Sequence, residues 1–362
     1  MALYQTYRPK TLQELVGQEF VRQTLQAALK SNKVAHAYLF FGSRGTGKTS
    51  SARILAKALN CQQPRESGDP CNQCEFCLAA DAGTFVDLIE IDGASNRKIE
   101  HARALIEKIH FAPTLGKRKV YIIDEVHMLT KEAFNALLKT IEEPPEHAYF
   151  LLATTELQKV PETIRSRCQT FTFHRLSAEQ IAGRLSEIAQ KEDVEAEHDA
   201  LLLIAKKSLG GLRDAIGLFE QVAAGGEVTV KQLQHELGMA SLGDLEQFYQ
   251  FVLSGDAAAA IRFVGDLSAE GISLGDFTEQ LLGHLRSLMI DTSPAGDTPD
   301  SAKLAVILHH IDLFETARRN LRDTPIPTLP LEIAIVKATL QEGSSEVKKE
   351  EGWSLFGRRE SK

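Results

Sequence analysis

Gly42, Ser43, Arg44, Gly45, Thr46, Gly47, Lys48 and Thr49 set glycines, a lysine and a hydroxyl at the G-x-x-x-x-G-K-[ST] spacing that cradles a polyphosphate. In this pattern the glycines let backbone N–H groups curl around the β- and γ-phosphates and Lys48 neutralises the γ-phosphate. The Thr49 hydroxyl, followed by Ser50, ligates magnesium. A second element delivers two carboxylates, Asp124 and Glu125, from the end of the apolar run Val120 to Ile123. Asp124 suits the magnesium shell, and Glu125 suits polarising an attacking water. By itself the pair also reads as two solvated acids after a strand; beside a phosphate loop it reads as the hydrolytic half of a nucleotide site.

Four of the five cysteines cluster as Cys61-x9-Cys71-x2-Cys74-x2-Cys77, while Cys168 stands apart. Four thiolates in one short loop match the tetrahedral, sulfur-rich preference of zinc. A closed four-sulfur site leaves no open position, so such a zinc is expected to be structural. The alternative is a set of small buried thiols, but Gly68, Asp69, Pro70 and Asn72 make this a polar turn region.

The elements that must position these groups are legible in part. Val21, Thr24, Leu25 and Ala28 recur at helical spacing, and Ala37 to Phe41 reads as a buried strand running into the glycine loop. A helix is expected over residues 50–59, further strands at 85–91, 120–123 and 149–153, and a helix carrying Phe134, Leu137, Leu138 and Ile141. Alternation of this kind implies an α/β domain with a parallel sheet flanked by helices. From about Leu176 helical periodicity takes over, with breaks at Gly210-Gly211, Gly225-Gly226 and the Pro-rich stretch 325–330. The end, 342–362, mixes charges with Gly and Ser and reads as a flexible tail.

The 362 residues are 43% hydrophobic and 25% charged, which fits a globular chain of two or three domains and excludes a disordered or collagenous one. No transmembrane or signal segment is expected, so no membrane partner and a cytoplasmic location are the defaults. The net charge of −8 is uneven: 23 basic and 20 acidic residues in 1–180 leave about +3, against about −11 in the remainder. A polyanion is therefore expected to meet the first half.

The phosphate loop, Asp124-Glu-Val-His-Met-Leu129, the Asn135 to Pro145 helix end, Leu152-Ala-Thr-Thr155, Ser166-Arg-Cys168 and the four-cysteine insertion together resemble the AAA+ ATPases of DNA clamp loaders. Over residues 1–340 the pattern is similar to the bacterial DNA polymerase III gamma/tau family. The resemblance implies a RecA-like P-loop AAA+ ATPase domain (1–176) carrying a zinc module (61–77), then an all-α lid (177–240) and an all-α collar (241–341) through which five subunits assemble. It implies a magnesium-dependent ATPase that opens a sliding clamp and loads it on primed DNA. The expected partners are delta, delta-prime and further gamma/tau-type subunits. The family is classed with DNA-directed DNA polymerase, but no nucleotidyl-transfer carboxylate set is evident in this chain. A hexameric AAA+ DNA motor, such as a branch-migration helicase, would lack the cysteine insertion and carry a winged helix. A non-hydrolysing scaffold would not need Lys48, Thr49, Asp124 and Glu125 intact.

Residue roles follow from the same resemblance. Arg167 corresponds to an arginine finger reaching a neighbour's ATP, Thr155 to the sensor 1 position, and Arg213 to the sensor 2 arginine. A guanidinium fork matches the spread charge of a transferring phosphoryl group, although Arg167 also reads as one more surface arginine. Tyr4, Arg8, Pro9 and Val16 fall where the family borders the adenine, with ordinary packing as the alternative. Lys98 and Arg103 fall where clamp loaders meet DNA phosphates, or are merely solvated.

Overall fold

The computed structural model of the protein describes residues 2–95, 109, 111–292, 301–322 and 324–342. It divides into two compact units at Val230/Lys231.

The first unit is built on five parallel strands: β1 (Ala37–Gly42), β2 (Leu88–Asp92), β3 (Lys119–Asp124), β4 (Ala148–Thr154) and β5 (Gln169–Phe173), in the order β2-β3-β4-β1-β5. The run Tyr38, Leu39, Phe40 on β1 and the whole of β4 are buried, as strands covered on both faces must be. One face packs Leu25 and Leu55 against Phe40, Ile122 and Phe171; the other packs Phe134, Leu137 and Ile141 against Tyr121, Ile123 and Phe150.

The strand expected over 85–91 begins at Leu88, because Val86 is exposed and the chain enters the sheet only beyond Asp87. The edge strand β5 escapes the sequence reading. Only Phe171 and Phe173 of its five residues are buried, and so brief an alternation is a weak signal.

All strands run the same way, so their carboxyl ends form one rim, where α/β sheets bind ligands. Register sets Asp92 opposite Asp124 and Phe41 opposite Thr154. The helix Lys48–Asn60 leaves this rim directly after the glycine loop, and Ala178–Lys191, His198–Lys207 and Leu212–Val222 complete the unit. Strand signals do fade beyond β5, leaving among the described residues only the two-residue pair Glu195–Ala196 and Glu227–Val228.

The second unit is helical among the described residues, with Leu242–Leu253, Ala257–Ala269, Leu274–Asp291, Ser301–Asn320 and Leu329–Glu342 around Phe248, Phe277, Phe314 and Ile335. The last helix is apolar on two sides. Leu331, Ala334, Ile335 and Ala338 face the core, while Leu329, Ile333, Val336 and Leu340 form an exposed stripe at spacings of four, three and four. No helix among the described residues is long and apolar enough to cross a membrane.

Candidate functional site

A cavity of about 790 Å³ opens at the rim of the sheet, lined by residues 44–50, Asp124, Glu125, Arg213 and the N-terminal residues Tyr4, Arg8, Pro9 and Val16. The glycine loop begins where β1 ends. A Cβ on Gly42 would stand 2.4 Å from the Phe173 carbonyl oxygen of the adjacent β5, so the loop leaves the sheet only with glycine there. Gly45, at φ +76°, lies against Gly211, and the Leu212 N–H donates to the Gly45 carbonyl at 3.1 Å. The Gly210-Gly211 break expected from sequence is therefore the point where the helix bearing Arg213 meets the loop.

Lys48, 5% exposed, donates through Nζ to the carbonyls of Gly42 and Ser43 at 2.8 Å each. Burial pulls its ammonium below the usual lysine value, while Glu125 and Asp124 push the other way. The Thr49 hydroxyl donates to Asp124 Oδ2 at 2.6 Å, although β3 and β1 are separated in the sheet by β4. A hydroxyl and a carboxylate converging from two elements are hard oxygen donors of the kind magnesium takes.

Glu125 is one of few non-glycine residues in the left-handed region, at φ +44° and ψ +47°. Such backbone costs about 1–3 kcal/mol and persists only when the surroundings impose it. Here they do, for Glu125 Oε2 accepts from the Thr155 N–H at 3.2 Å and the Thr155 hydroxyl at 3.0 Å. Thr155 follows the last residue of β4, the strand between β1 and β3, which places it between the loop and the carboxylates. His127, 6% exposed in its side chain, sits 3.4 Å from Glu125 Oε2 and 3.3 Å from Glu156 Oε1. Arg213 stacks its guanidinium 4.7 Å from the Tyr4 ring centroid.

Arg167 is not among the residues that line this cavity. Its guanidinium is paired with Glu142 at 2.7 Å and donates to the Thr163 carbonyl at 2.9 Å, with 39% of the side chain exposed. Lys98 and Arg103 lie outside the described residues.

Sequence reasoning missed several neighbours of the site. Arg53 lines the cavity one helical turn after Thr49, and i, i+4 spacing on the loop helix was the available signal. It forms a two-pronged pair with Glu90 of β2 at 2.7 Å on each bond. Asp92 also lines it, at the strand end level with Asp124. Gln18, 3% exposed, donates to the His174 carbonyl at 2.8 Å, a contact across 156 positions that no local pattern announces.

The cysteine cluster is a separate centre. Cys61 caps the end of Lys48–Asn60, so this 13-residue helix sets it roughly 20 Å from the phosphate loop. The Sγ atoms of Cys61, Cys71, Cys74 and Cys77 all lie within 4.8 Å of one another, with Cys71 and Cys77 at 3.9 Å. A tetrahedron of about 2.3 Å zinc–sulfur bonds separates its sulfurs by about 3.8 Å, so the four residues fit that metal. Burial raises the Cys61 and Cys77 thiols above their ordinary value. At Cys71 burial is outweighed by the backbone N–H groups of Gln73 and Cys74, 3.4 and 3.3 Å from its sulfur, which help bring it down to about 6.

Two family models match consecutive stretches of the chain: DNA polymerase III, delta subunit, over residues 17–177, and DNA polymerase III clamp loader subunit, ATPase lid domain, over residues 180–228. The DNA polymerase III subunit tau of Bacillus subtilis is 37% identical over 93% of this chain and 62% of its own length. The tau subunit of Escherichia coli is 41% identical over 85% of this chain and 48% of its own. The DNA polymerase III subunit gamma of Buchnera aphidicola subsp. Acyrthosiphon pisum is 39% identical over 79% of each chain. This chain thus spans about half to three fifths of the tau relatives it matches. Among solved structures, the Thermotoga maritima RuvB Holliday junction branch migration motor superposes with a TM-score of 0.48 at 22% identity, over 77% of this chain and 91% of that one; so loose a match carries no functional weight.

Proposed function

The chain belongs to the DNA polymerase III gamma/tau family, and on that premise we propose that it is an ATP-hydrolysing clamp-loader subunit that opens a ring-shaped sliding clamp and loads it on primed DNA. The observation that carries the reading is the 2.6 Å contact between Thr49 and Asp124 beside Lys48, at the mouth of a cavity that Arg213 also lines. We divide the chain into an ATPase domain (1–176), a lid (177–240), a collar (241–341) and a tail (342–362).

In this reading Lys48 exchanges the Gly42 and Ser43 carbonyls for phosphate oxygens, and the loop amides hold the β- and γ-phosphates. Thr49 and Asp124 would hold a magnesium ion, whose charge offsets that of the phosphates. Glu125 takes a proton from the water whose oxygen bonds the γ-phosphorus as the β–γ bridge to ADP breaks. The Thr155 bonds hold its carboxylate in place; when the γ-phosphate accepts from the Thr155 hydroxyl, Glu125 is released toward the water. Arg213 couples the lid to its own nucleotide. Arg167, exposed and outside the chain's own cavity, serves the nucleotide of a neighbour. Tyr4, Arg8, Pro9 and Val16 border the adenine.

The four cysteines would hold a structural zinc, which cross-links the 61–77 loop and takes no part in hydrolysis. The exposed stripe Leu329, Ile333, Val336 and Leu340 suits the collar, where delta, delta-prime and further gamma/tau copies would cover it. DNA is held through its backbone, with Lys98 and Arg103 the candidate contacts, which gives salt-sensitive and sequence-independent binding. The site of action is the cytoplasm, and polymerase activity resides elsewhere in the holoenzyme.

The test is ATPase turnover of the full chain, alone and with partner subunits, clamp and primed DNA. Stimulation that requires both clamp and primed DNA supports the reading; turnover that follows any DNA without the clamp overturns it in favour of a motor.

A further inference from the structure

The cavity wall formed by Tyr4, Arg8, Pro9 and Val16 has little structure of its own. The segment that carries it holds one four-residue helix, Leu3–Thr6, and one three-residue turn, Leu12–Glu14. Its position is set from outside, at two ends. Toward the lid, the Leu3 N–H donates to the Glu220 carboxylate at 3.0 Å, and the Tyr7 hydroxyl donates to Glu192 at an exposed site. At the other end it is tied to the cysteine loop by one buried bond and one exposed bond.

Asp69, 1% exposed and lying between Cys61 and Cys71, accepts at Oδ1 from the Leu12 N–H at 2.6 Å. Its Oδ2 accepts from Gln26 Nε2 and from the Ser67 hydroxyl, each at 2.9 Å. Asn72, between Cys71 and Cys74, donates from Nδ2 to the Lys10 carbonyl at 3.2 Å. Its Oδ1 accepts from Nζ of Lys57 at 2.7 Å, and Lys57, on the loop helix and 5% exposed, also pairs with Asp81 at 2.9 Å. Asn72 has φ +60°, a left-handed backbone that asparagine tolerates better than most residues. Asn72 thus joins Lys10 of the wall segment to the helix that starts at the phosphates, and Asp69 joins Leu12 to Gln26 of the helix Glu19–Lys30.

We propose that the cysteine centre is a positioning element for the nucleotide base: closed by its metal, it presents Asp69 and Asn72 at fixed places and so anchors the wall against which the base packs. Asp69 and Asn72 are positioning residues outside the cavity lining and act on the base through Lys10–Leu12. The proposal rests on the nucleotide reading of the cavity. A loop that merely stabilises the unit would, when weakened, lower the melting temperature without changing which part of the nucleotide is recognised.

The experiment compares ATP with inorganic tripolyphosphate, which uses the phosphate loop but has no base. Dissociation constants for both are measured by calorimetry on the full chain carrying Asp69→Ala or Asn72→Ala, with zinc content and melting temperature read on the same samples. The expected result is ATP binding weakened about ten-fold, the scale of one hydrogen bond to a charged group, with tripolyphosphate binding unchanged and zinc still bound. Stripping the metal with a chelator should move the same ratio in the same direction. An unchanged ATP-to-tripolyphosphate ratio in a folded variant overturns the proposal, and Asn72→Ala, which leaves the buried carboxylate in place, supplies that variant if Asp69→Ala does not fold. Lys48→Ala run in parallel separates the two ideas: if it leaves tripolyphosphate affinity intact, the nucleotide reading fails, whereas loss there with no change of ratio in the Asp69 and Asn72 variants sinks the anchor alone.

Discussion

Replacing Arg167 by alanine removes a guanidinium that, among the described residues, serves Glu142, Thr163 and Ser166. The Glu142 pair is about two-fifths exposed on both sides, 39% and 42%, so its loss costs at most about 1 kcal/mol and shifts the melting temperature by roughly 2–4 °C. Arg167 lines none of its own cavity, so the chain's own ATP dissociation constant should stay within about two-fold. Turnover in the assembly should instead fall by roughly 10³-fold, about 4 kcal/mol of transition-state stabilisation, as when an arginine finger is withdrawn. The catalytic loss exceeds the structural one several-fold, so the two are separable by measuring ATP affinity, melting and turnover on one preparation. The decisive assay mixes Arg167→Ala with Lys48→Ala. Lys48→Ala should abolish ATP binding, because among the described residues no other buried cation is bonded to the Gly42 and Ser43 carbonyls. A subunit that holds ATP without a finger can then be served by one that has a finger without ATP, and part of the turnover returns. No rescue at any ratio, despite demonstrated co-assembly, would refute action on a neighbour and leave Arg167 as a surface partner of Glu142.

Glu125→Gln should leave ATP and magnesium binding through Thr49 and Asp124 intact while single-turnover hydrolysis falls about 10²-fold; loss of binding instead would mean the two carboxylate roles are reversed. Elemental analysis should find one zinc per chain, and Cys74→Ser should lower that content and loosen the 61–77 loop without weakening tripolyphosphate binding, since the phosphates are held at the far end of the helix from Cys61. Burial, with His309 beside it, lowers the protonation of His310 to about 4, well below the roughly 6.5 of an unfolded chain. The folded state therefore favours the neutral ring, so stability is fully present above about pH 6.5 and is lost as pH falls from there toward 4. Melting followed from pH 7 to 4.5 should show this slope, and His310→Gln should flatten it; an unchanged slope would place the titration elsewhere.

The chemistry of this protein was legible in sequence wherever it depends on neighbours along the chain. Gly42 to Thr49 is one continuous turn from strand to helix, Asp124 and Glu125 stand at the end of one strand, and the four cysteines fall within the stretch 61–77, so spacing alone announced a candidate phosphate site and a candidate metal site. The apolar runs on β1, β3 and β4 were equally plain, because strands buried on both faces must be apolar throughout. Only the tertiary structure decided what those pieces meet. The order β2-β3-β4-β1-β5 brings Thr155 to Glu125 across 30 positions, Gln18 to His174 across 156, and Asp69 to Leu12 across 57. Each of these is a hydrogen bond between a polar group and a distant stretch of backbone or side chain, and leaves no periodicity to read. Hydrophobic patterning reports which face of an element is buried, whereas a single polar contact is fixed only once the sheet order and the loops have set its two ends within about 3 Å.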